Sequence, residues 1–194
     1  MAEVVLYHHV QGLTGGVRAF ADRLRAGGHV VHTPDLFAGA LPGSIEEGLA
    51  LSRQIGDEVI AARATTDLPS AAVFAGISSG VMTAQRLAQT HPAARGALLY
   101  EACLPISGEW AIGPWPAGVP VQIHGMDKDP IFALEGDVDA ARELVTTIGQ
   151  DQGQLFLYAG DRHLFTDSSL PSYDAAATDL AIERSLEFLA KAAF

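Results

Sequence analysis

The sequence has very little cysteine and few basic residues, and both shortages limit what the protein can be. It contains one cysteine among 194 residues, which excludes an internal disulfide framework and a cysteine-rich zinc site. Lys and Arg total 12 against 23 Asp and Glu, so the formal net charge is −11. Because this negative charge repels phosphate backbones and anionic lipids, we expect neither nucleic acid nor a membrane as a partner.

Neither a long apolar run nor a leader segment is recognisable in the sequence. No stretch approaches the roughly 18 apolar residues that span a bilayer, and the start, MAEVVLYHHV, lacks the basic and apolar regions of a secretory signal. We therefore expect a cytoplasmic protein. A length of 194 residues with 48% hydrophobic content predicts a single domain over residues 1–194. The absence of coiled-coil heptads favours a monomer or a weak homodimer.

Short apolar runs alternate with longer amphipathic runs along the chain. Runs typical of strands cover 4–8, 29–32, 71–75, 96–100, 119–123 and 155–158, and runs typical of helices cover 17–26, 44–63, 79–89, 138–148 and 173–192. This alternation predicts an α/β fold with a mostly parallel sheet and helices on both faces. Ligands bind at the carboxyl ends of the strands in such folds. The residues that follow each strand are therefore the candidates for a site.

The third predicted strand leads into a G-x-S-x-G pattern, Gly76-Ile77-Ser78-Ser79-Gly80. Between a strand and a helix, this pattern predicts a sharp turn that exposes the serine hydroxyl beside a helix N-terminus. The alternative is a plain glycine-bounded helix start with Ser78 near its cap. The position between an apolar strand and a helix favours Ser78 as a nucleophile.

A serine nucleophile needs a base, and the base needs an acceptor that orients it. His163 follows the sixth predicted strand and is the candidate base, although a loop histidine can also simply bond to backbone. Asp127 and Asp129 both follow the fifth strand, and we favour Asp129 because Pro130 stiffens its turn. The chain order Ser78, Asp129, His163 is the order found in α/β-hydrolases.

Other parts of the site are predicted from position alone. The backbone N–H groups of Val10, after the first strand, and of Ser79 are the candidate donors to an oxyanion. The expected substrate pocket is lined by His9, Phe37, Cys103, Phe132 and Phe165. Cys103 is expected to act as a small buried hydrophobe rather than as a second nucleophile.

Three histidines raise the question of a metal site. His8 and His9 are adjacent, and His124 follows in the fifth strand region. Adjacent residues in a strand point to opposite faces, so His8 and His9 cannot easily bind one ion. We expect neither a metal nor an organic cofactor.

Several segments together resemble the dienelactone hydrolase family of α/β-hydrolases over almost the whole chain. They are Gly12-Leu13 with the helix that follows, Thr33-Pro34-Asp35-Leu36-Phe37, the turn from Gly76 to Gly80, Asp129-Pro130, His163-Leu164-Phe165 and Ser172-Tyr173-Asp174-Ala175-Ala176-Ala177. The resemblance implies a minimal hydrolase core without a large lid domain. It also supports Asp129 over Asp127.

Two positions differ from the family's best-known members. Those enzymes carry a cysteine nucleophile where Ser78 stands, and a glutamate that controls the resting thiol where we align His9. A serine needs no such control, so the two differences agree with each other. The resulting prediction is a hydrolase that cleaves a small ester, lactone or thioester through an acyl-enzyme. The alternatives are a non-catalytic binding or regulatory protein on the same scaffold, and an acyltransferase that uses the same three residues.

Overall fold

The computed structural model describes residues 1–192, and six parallel strands form a single sheet in it. In chain order the elements are β1 (Glu3–Tyr7), α1 (Gly15–Ala26), β2 (Val30–His32), α2 (Ile45–Ile55), α3 (Asp57–Ala64), β3 (Ala72–Ile77), α4 (Gly80–Thr90), β4 (Ala94–Tyr100), β5 (Val121–Met126), α5 (Asp137–Ile148), β6 (Gly153–Tyr158) and α6 (Ala175–Ala192). The spatial order is β2-β1-β3-β4-β5-β6, and every neighbouring pair is parallel. The predicted α/β fold is confirmed.

The central strands of the sheet are buried on both faces, and most of their residues are apolar. In β1, Val4 and Leu6 join the core beneath α1 and α6. Val5 and Tyr7, which point the other way, join the core beneath α2, α3, α4 and α5. This arrangement explains why the strands appear in the sequence as continuous apolar runs rather than as alternating ones.

The helix predicted over 44–63 is two helices in the structure. Its start is as expected: the Ser44 hydroxyl accepts the Glu47 N–H at 3.1 Å, and the Glu47 carboxylate accepts the Gly43 N–H at 2.8 Å. The break comes at Gly56, whose φ of 85° lies in the region that favours glycine. The prediction of a single helix was therefore wrong. α2 ends at Ile55, and α3 begins at Asp57 after the break.

The strand ends differ from the predicted ones in a way that matters for the site. β5 is predicted over 119–123 but runs from Val121 to Met126, and β1 ends at Tyr7. In the sheet, Tyr7 pairs with Gly76, Ile77 with Tyr100, and Met126 with Tyr158. The residues that come directly after β1, β3, β4, β5 and β6 therefore meet along one edge of the sheet.

The longest helix, α6, covers the sheet with one face. Ala181, Ser185 and Leu189 are fully buried at a spacing of four residues, while Glu183 and Glu187 lie on the exposed face. The helix is therefore amphipathic. In the described part of the chain, no helix is both long enough and apolar enough to pass through a membrane.

Two adjacent glycines at the start of α1 have very different surroundings. Gly15 is exposed, and a Cβ built on it would meet nothing within 4 Å. Gly16 is buried, and a Cβ there would overlap the Asp167 carboxylate and the backbone nitrogen of Ser168. The start of α1 is thus packed directly on the segment that follows His163.

This pair of glycines gives a matched test of the packing. We expect Gly16→Ala to lower the free energy of unfolding by about 1–3 kcal/mol, because the methyl group forces the Asp167 segment away. Gly15→Ala is expected to leave the free energy of unfolding unchanged, or to raise it by up to about 1 kcal/mol because alanine has the higher helix propensity. Urea denaturation followed by circular dichroism measures both. Equal effects of the two substitutions would contradict the packing.

Candidate active site

The candidate nucleophile lies on a sharp turn between β3 and α4. Ser78 has a φ of 49°, an unusual value for a residue other than glycine. A Cβ on Gly76 would lie 2.5 Å from backbone atoms of Gly80, and a Cβ on Gly80 would lie 2.4 Å from the Tyr7 carbonyl oxygen. Only glycine fits at these two positions, which is the physical basis of the G-x-S-x-G pattern. The turn is held by a 2.7 Å hydrogen bond from the Ser78 N–H to the Tyr100 carbonyl.

The serine, the histidine and the preferred aspartate form a continuous hydrogen-bonded chain. Ser78 Oγ lies 2.8 Å from His163 Nε2, and His163 Nδ1 lies 2.7 Å from Asp129 Oδ2. A carboxylate can only accept, so Nδ1 carries the proton. Nε2 is then free to accept the hydroxyl proton of Ser78.

The two aspartates after β5 have different surroundings. Asp129 is fully buried, and its Oδ1 accepts the N–H groups of Ile131 and Phe132 at 2.8 and 3.3 Å. Asp127 is exposed and accepts the Gly160 N–H at 3.0 Å. Asp129 therefore faces the histidine, whereas Asp127 fixes the loop after β6.

The charges around His163 favour its protonated form. Burial by itself would lower the pKa of His163, but the hydrogen bond from the imidazole to Asp129 and the charge of Glu101 together raise it above its ordinary value. The charge of Asp137 also raises the pKa of His163. The histidine is thus a stronger base than a free imidazole.

The two candidate oxyanion donors lie at the start of α4 and on the loop after β1. Ser79 caps the start of α4, and Val10 is 4% exposed on the loop after β1. A Cβ on Gly48 of α2 would overlap the Val10 carbonyl oxygen, so α2 lies directly against this loop. Within the described chain, neither the Val10 nor the Ser79 N–H has a hydrogen-bond acceptor.

His9 ties the loop after β1 to the segment that follows His163. His9 Nδ1 accepts the Gln11 N–H at 3.1 Å, so Nε2 carries the proton and donates it to Asp167 Oδ2 at 2.7 Å. Asp167 also accepts from the Thr14 hydroxyl and from the N–H and hydroxyl of Ser169. Although burial opposes it, these hydrogen bonds lower the pKa of Asp167 to about 2. Both ring nitrogens of His9 are thus used by the fold.

The residues predicted to line the pocket are all deeply buried, at most 7% exposed. They are His9, Phe37, Cys103, Phe132 and Phe165. Two cavities of about 430 and 420 Å³ lie elsewhere, one at the amino ends of β4 and β5 and one beside β2, and no residue of the serine–histidine–aspartate chain lines them. The pocket role of the five residues stays a prediction.

The histidines considered as metal ligands are held by other groups. His8 accepts the Leu36 N–H at Nε2 and donates from Nδ1 to the His9 carbonyl, at 3.0 and 2.7 Å. Burial lowers the pKa of His8 to about 4. His124 lies in the interior with Nδ1 2.8 Å from the Tyr158 hydroxyl. Across residues 1–192, no three His, Cys, Asp or Glu side chains are grouped so as to hold a metal ion.

Sequence reasoning missed two buried acids beside the site. Glu101 directly follows β4, and Asp167 follows His163 by four residues; both are fully buried. A signal for Glu101 was present, since a glutamate that directly follows an apolar strand lies at the edge where sites form. Asp167 carries no comparable signal because its partner, His9, is 158 residues away.

Comparisons with known proteins show the family and the fold of the chain. The sequence model of the dienelactone hydrolase family matches residues 1–193, while no curated protein matches the chain. A dienelactone hydrolase-like promiscuous phosphotriesterase from metagenomic libraries has a TM-score of 0.73 and 18% identity, covering 98% of this chain and 86% of that one. An esterase from Thermogutta terrifontis has a TM-score of 0.61 and 17% identity, covering 100% and 84%.

A third similar structure is a cold-adapted esterase from an Arctic intertidal metagenomic library. Its TM-score is 0.59 at 16% identity, with 94% of this chain and 82% of that one covered. These likenesses show the fold, and the predicted α/β-hydrolase core without a lid domain is confirmed. The family match spans nearly the whole chain, and the chain therefore belongs to the dienelactone hydrolase family and is a hydrolase.

Proposed function

We propose that the protein is a serine hydrolase that cleaves small esters, lactones or thioesters with Ser78, His163 and Asp129. The observation that carries the proposal is the hydrogen-bonded chain from Ser78 Oγ through His163 to Asp129 Oδ2. A hydroxyl becomes nucleophilic only when a base takes its proton, and this arrangement supplies the base and its orienting acid.

The reaction begins when Ser78 Oγ attacks the carbonyl carbon and His163 Nε2 takes the hydroxyl proton. The imidazolium then donates that proton to the leaving group, and an acyl-enzyme on Ser78 remains. Water, deprotonated by the same nitrogen, then attacks the acyl carbon. The bond between that carbon and Ser78 Oγ breaks, the imidazolium returns its proton to Oγ, and the acid leaves. Asp129 keeps Nδ1 protonated throughout and stabilises the imidazolium that forms at each step.

The Val10 and Ser79 N–H groups are assigned to the negative charge on the tetrahedral oxygen. Both N–H groups lack an acceptor within residues 1–192, and Ser79 adds the positive end of the α4 dipole. A donor of this kind contributes roughly 3–4 kcal/mol to stabilisation of the transition state.

The charges of the site favour a neutral acyl substrate. Besides Asp129, the carboxyl groups of Glu101 and Asp137 act on His163, and the whole chain has a formal charge of −11. An anionic substrate would be repelled on approach. The esterases among the structural relatives support a simple ester as the first substrate to try.

Replacement of the nucleophile tests the proposal directly. Ser78→Ala is expected to reduce turnover of p-nitrophenyl acetate to background, a loss on the order of 10⁶-fold, because the acyl-enzyme cannot form. Circular dichroism should show an unchanged fold. A fluorophosphonate probe should label the native protein and not the variant. Turnover that survives in Ser78→Ala, or native protein that takes no label, would contradict the assignment.

The two aspartates after β5 give a matched pair of variants. Asp129→Asn is expected to lower kcat by about 10⁴-fold, since an amide favours the wrong histidine tautomer. Asp127→Asn removes a charge of the same sign two residues away but only weakens the bond to Gly160, so kcat should fall by less than about tenfold. Steady-state kinetics on one ester compares them. The reverse order of effects would reassign the acid to Asp127.

The pH dependence of kcat/KM follows from the state of His163. The imidazole must be neutral to accept the Ser78 proton, so activity rises as pH increases through the pKa of His163 in the free enzyme. That pKa is raised by the hydrogen bond to Asp129 and by nearby negative charge, which outweigh burial. The half-maximal point should therefore lie above about 6.5. A midpoint well below 6.5 in a protein that stays folded would refute this charge balance.

A further inference from the structure

Glu101 occupies the central position on the sheet edge that carries the candidate site. β4 lies between β3, which leads to Ser78, and β5, which leads to Asp129. Glu101 follows β4 directly, has a φ of 66°, and donates its N–H to the His124 carbonyl at 2.7 Å. A positive φ in a residue other than glycine is strained and persists only where the surroundings enforce it.

The Glu101 side chain reaches the segment that carries the histidine. Its Oε1 accepts the Thr166 N–H at 3.2 Å and the Thr166 hydroxyl at 3.1 Å, three residues beyond His163. Its Oε2 has no partner, and within residues 1–192 it is the one buried side-chain oxygen or nitrogen in that condition. Because burial of an unpaired carboxyl oxygen costs free energy, its presence calls for a compensating role.

The groups that act on Glu101 are those of the candidate site. Burial raises the pKa of Glu101 to about 7, and the charge of His163 and the hydrogen bonds from Thr166 oppose that rise. The charge of Asp129 also raises the pKa of Glu101, as burial does. Asp137, whose carboxylate accepts the Cys103 N–H at 3.2 Å, also acts on His163. Three carboxyl groups, those of Asp129, Glu101 and Asp137, therefore act on the imidazole by charge, and that of Asp129 also contacts it.

We propose that Glu101 is a positioning residue: it holds the histidine segment through Thr166, and as a carboxylate it stabilises the imidazolium that forms when Ser78 loses its proton. The inference rests on the proposed function, because it assigns Glu101 a part in the same proton transfer. Asp129 remains the group that contacts His163. Glu101 acts on the imidazole through the negative charge of its carboxylate.

One variant distinguishes a purely structural role of Glu101 from a role of its charge. Glu101→Gln keeps an oxygen that accepts from Thr166 but carries no charge. If Glu101 only fastens the segment, this variant behaves like the native protein. If its charge acts on His163, the pKa of His163 falls while the fold is kept.

The test is an NMR titration of His163 in the native protein and in Glu101→Gln, with His163→Gln used to assign the resonance. We expect the pKa of His163 to fall by about 0.5 unit or more in Glu101→Gln. The acid side of the kcat/KM profile should move to lower pH by the same amount, and kcat should fall about threefold or more. Glu187→Gln, which removes an equal charge from the exposed face of α6, should change none of these values.

The possible outcomes separate this inference from the proposed function. An unchanged pKa of His163 in folded Glu101→Gln overturns the inference even if Ser78→Ala is inactive as expected. Native protein without esterase activity overturns the proposed function, and the NMR titration still decides whether Glu101 acts on His163.

If Glu101→Gln does not fold, the native protein supplies the measurement through the ¹³C resonance of its Glu101 carboxyl. Ionisation of Glu101 over the pH range in which His163 titrates supports the inference. A carboxyl that stays protonated throughout that range overturns it.

Discussion

The hydrogen bond between Ser78 Oγ and His163 Nε2 is the contact on which the proposed chemistry depends. It joins residues 85 positions apart at a distance of 2.8 Å, although β3 and β6 are separated in the sheet by β4 and β5. The loop after β6 therefore has to cross the ends of two strands. It is guided there by the bond from the Gly160 N–H to Asp127 and by that from the Lys128 N–H to the Gly160 carbonyl at 2.9 Å.

Three carboxyl groups are fully buried in and beside the candidate site, and they are hydrogen-bonded unequally. Asp129 accepts from His163 and from two backbone N–H groups, and Asp167 accepts from four donors. Glu101 has donors on one oxygen only. A carboxylate with donors on both oxygens costs much less free energy to bury than one with donors on one oxygen. Among these three groups the uncompensated cost of burial therefore falls on Glu101, whose charge would stabilise the imidazolium.

Local signals made most of the site predictable from the sequence. Ser78, Asp129 and His163 each follow a strand, and a parallel sheet brings such positions to one edge whatever their separation along the chain. The choice of Asp129 over Asp127 could be made from Pro130 and the family resemblance. The break at Gly56 was hidden, because its φ of 85° depends on how α2 and α3 pack rather than on the apolar pattern.

The roles of Glu101 and Asp167 were hidden for a different reason, although the place of Glu101 directly after β4 was itself a signal. Their roles depend on which loops meet, and the partners lie 65 and 158 residues away. An acid that directly follows a strand can also be exposed, as Asp127 after β5 is. Asp167 is enclosed partly because α1 packs on the segment after His163, which needs Gly16 to lack a side chain.

These contacts mean that the proposed base, His163, and the loop that carries the proposed oxyanion donor Val10 are parts of one connected unit. The segment after His163 is held on one side by Asp167, which binds His9 next to Val10, and on the other by Thr166, which binds Glu101. A displacement of that segment would move the histidine and disturb the loop that carries the Val10 N–H at the same time. A serine hydroxyl, unlike a thiolate, is unreactive until base and oxyanion donors are both in place. The use of His9 as a structural link therefore agrees with a serine at position 78, because this nucleophile needs a rigid surrounding more than it needs a group that controls its resting state.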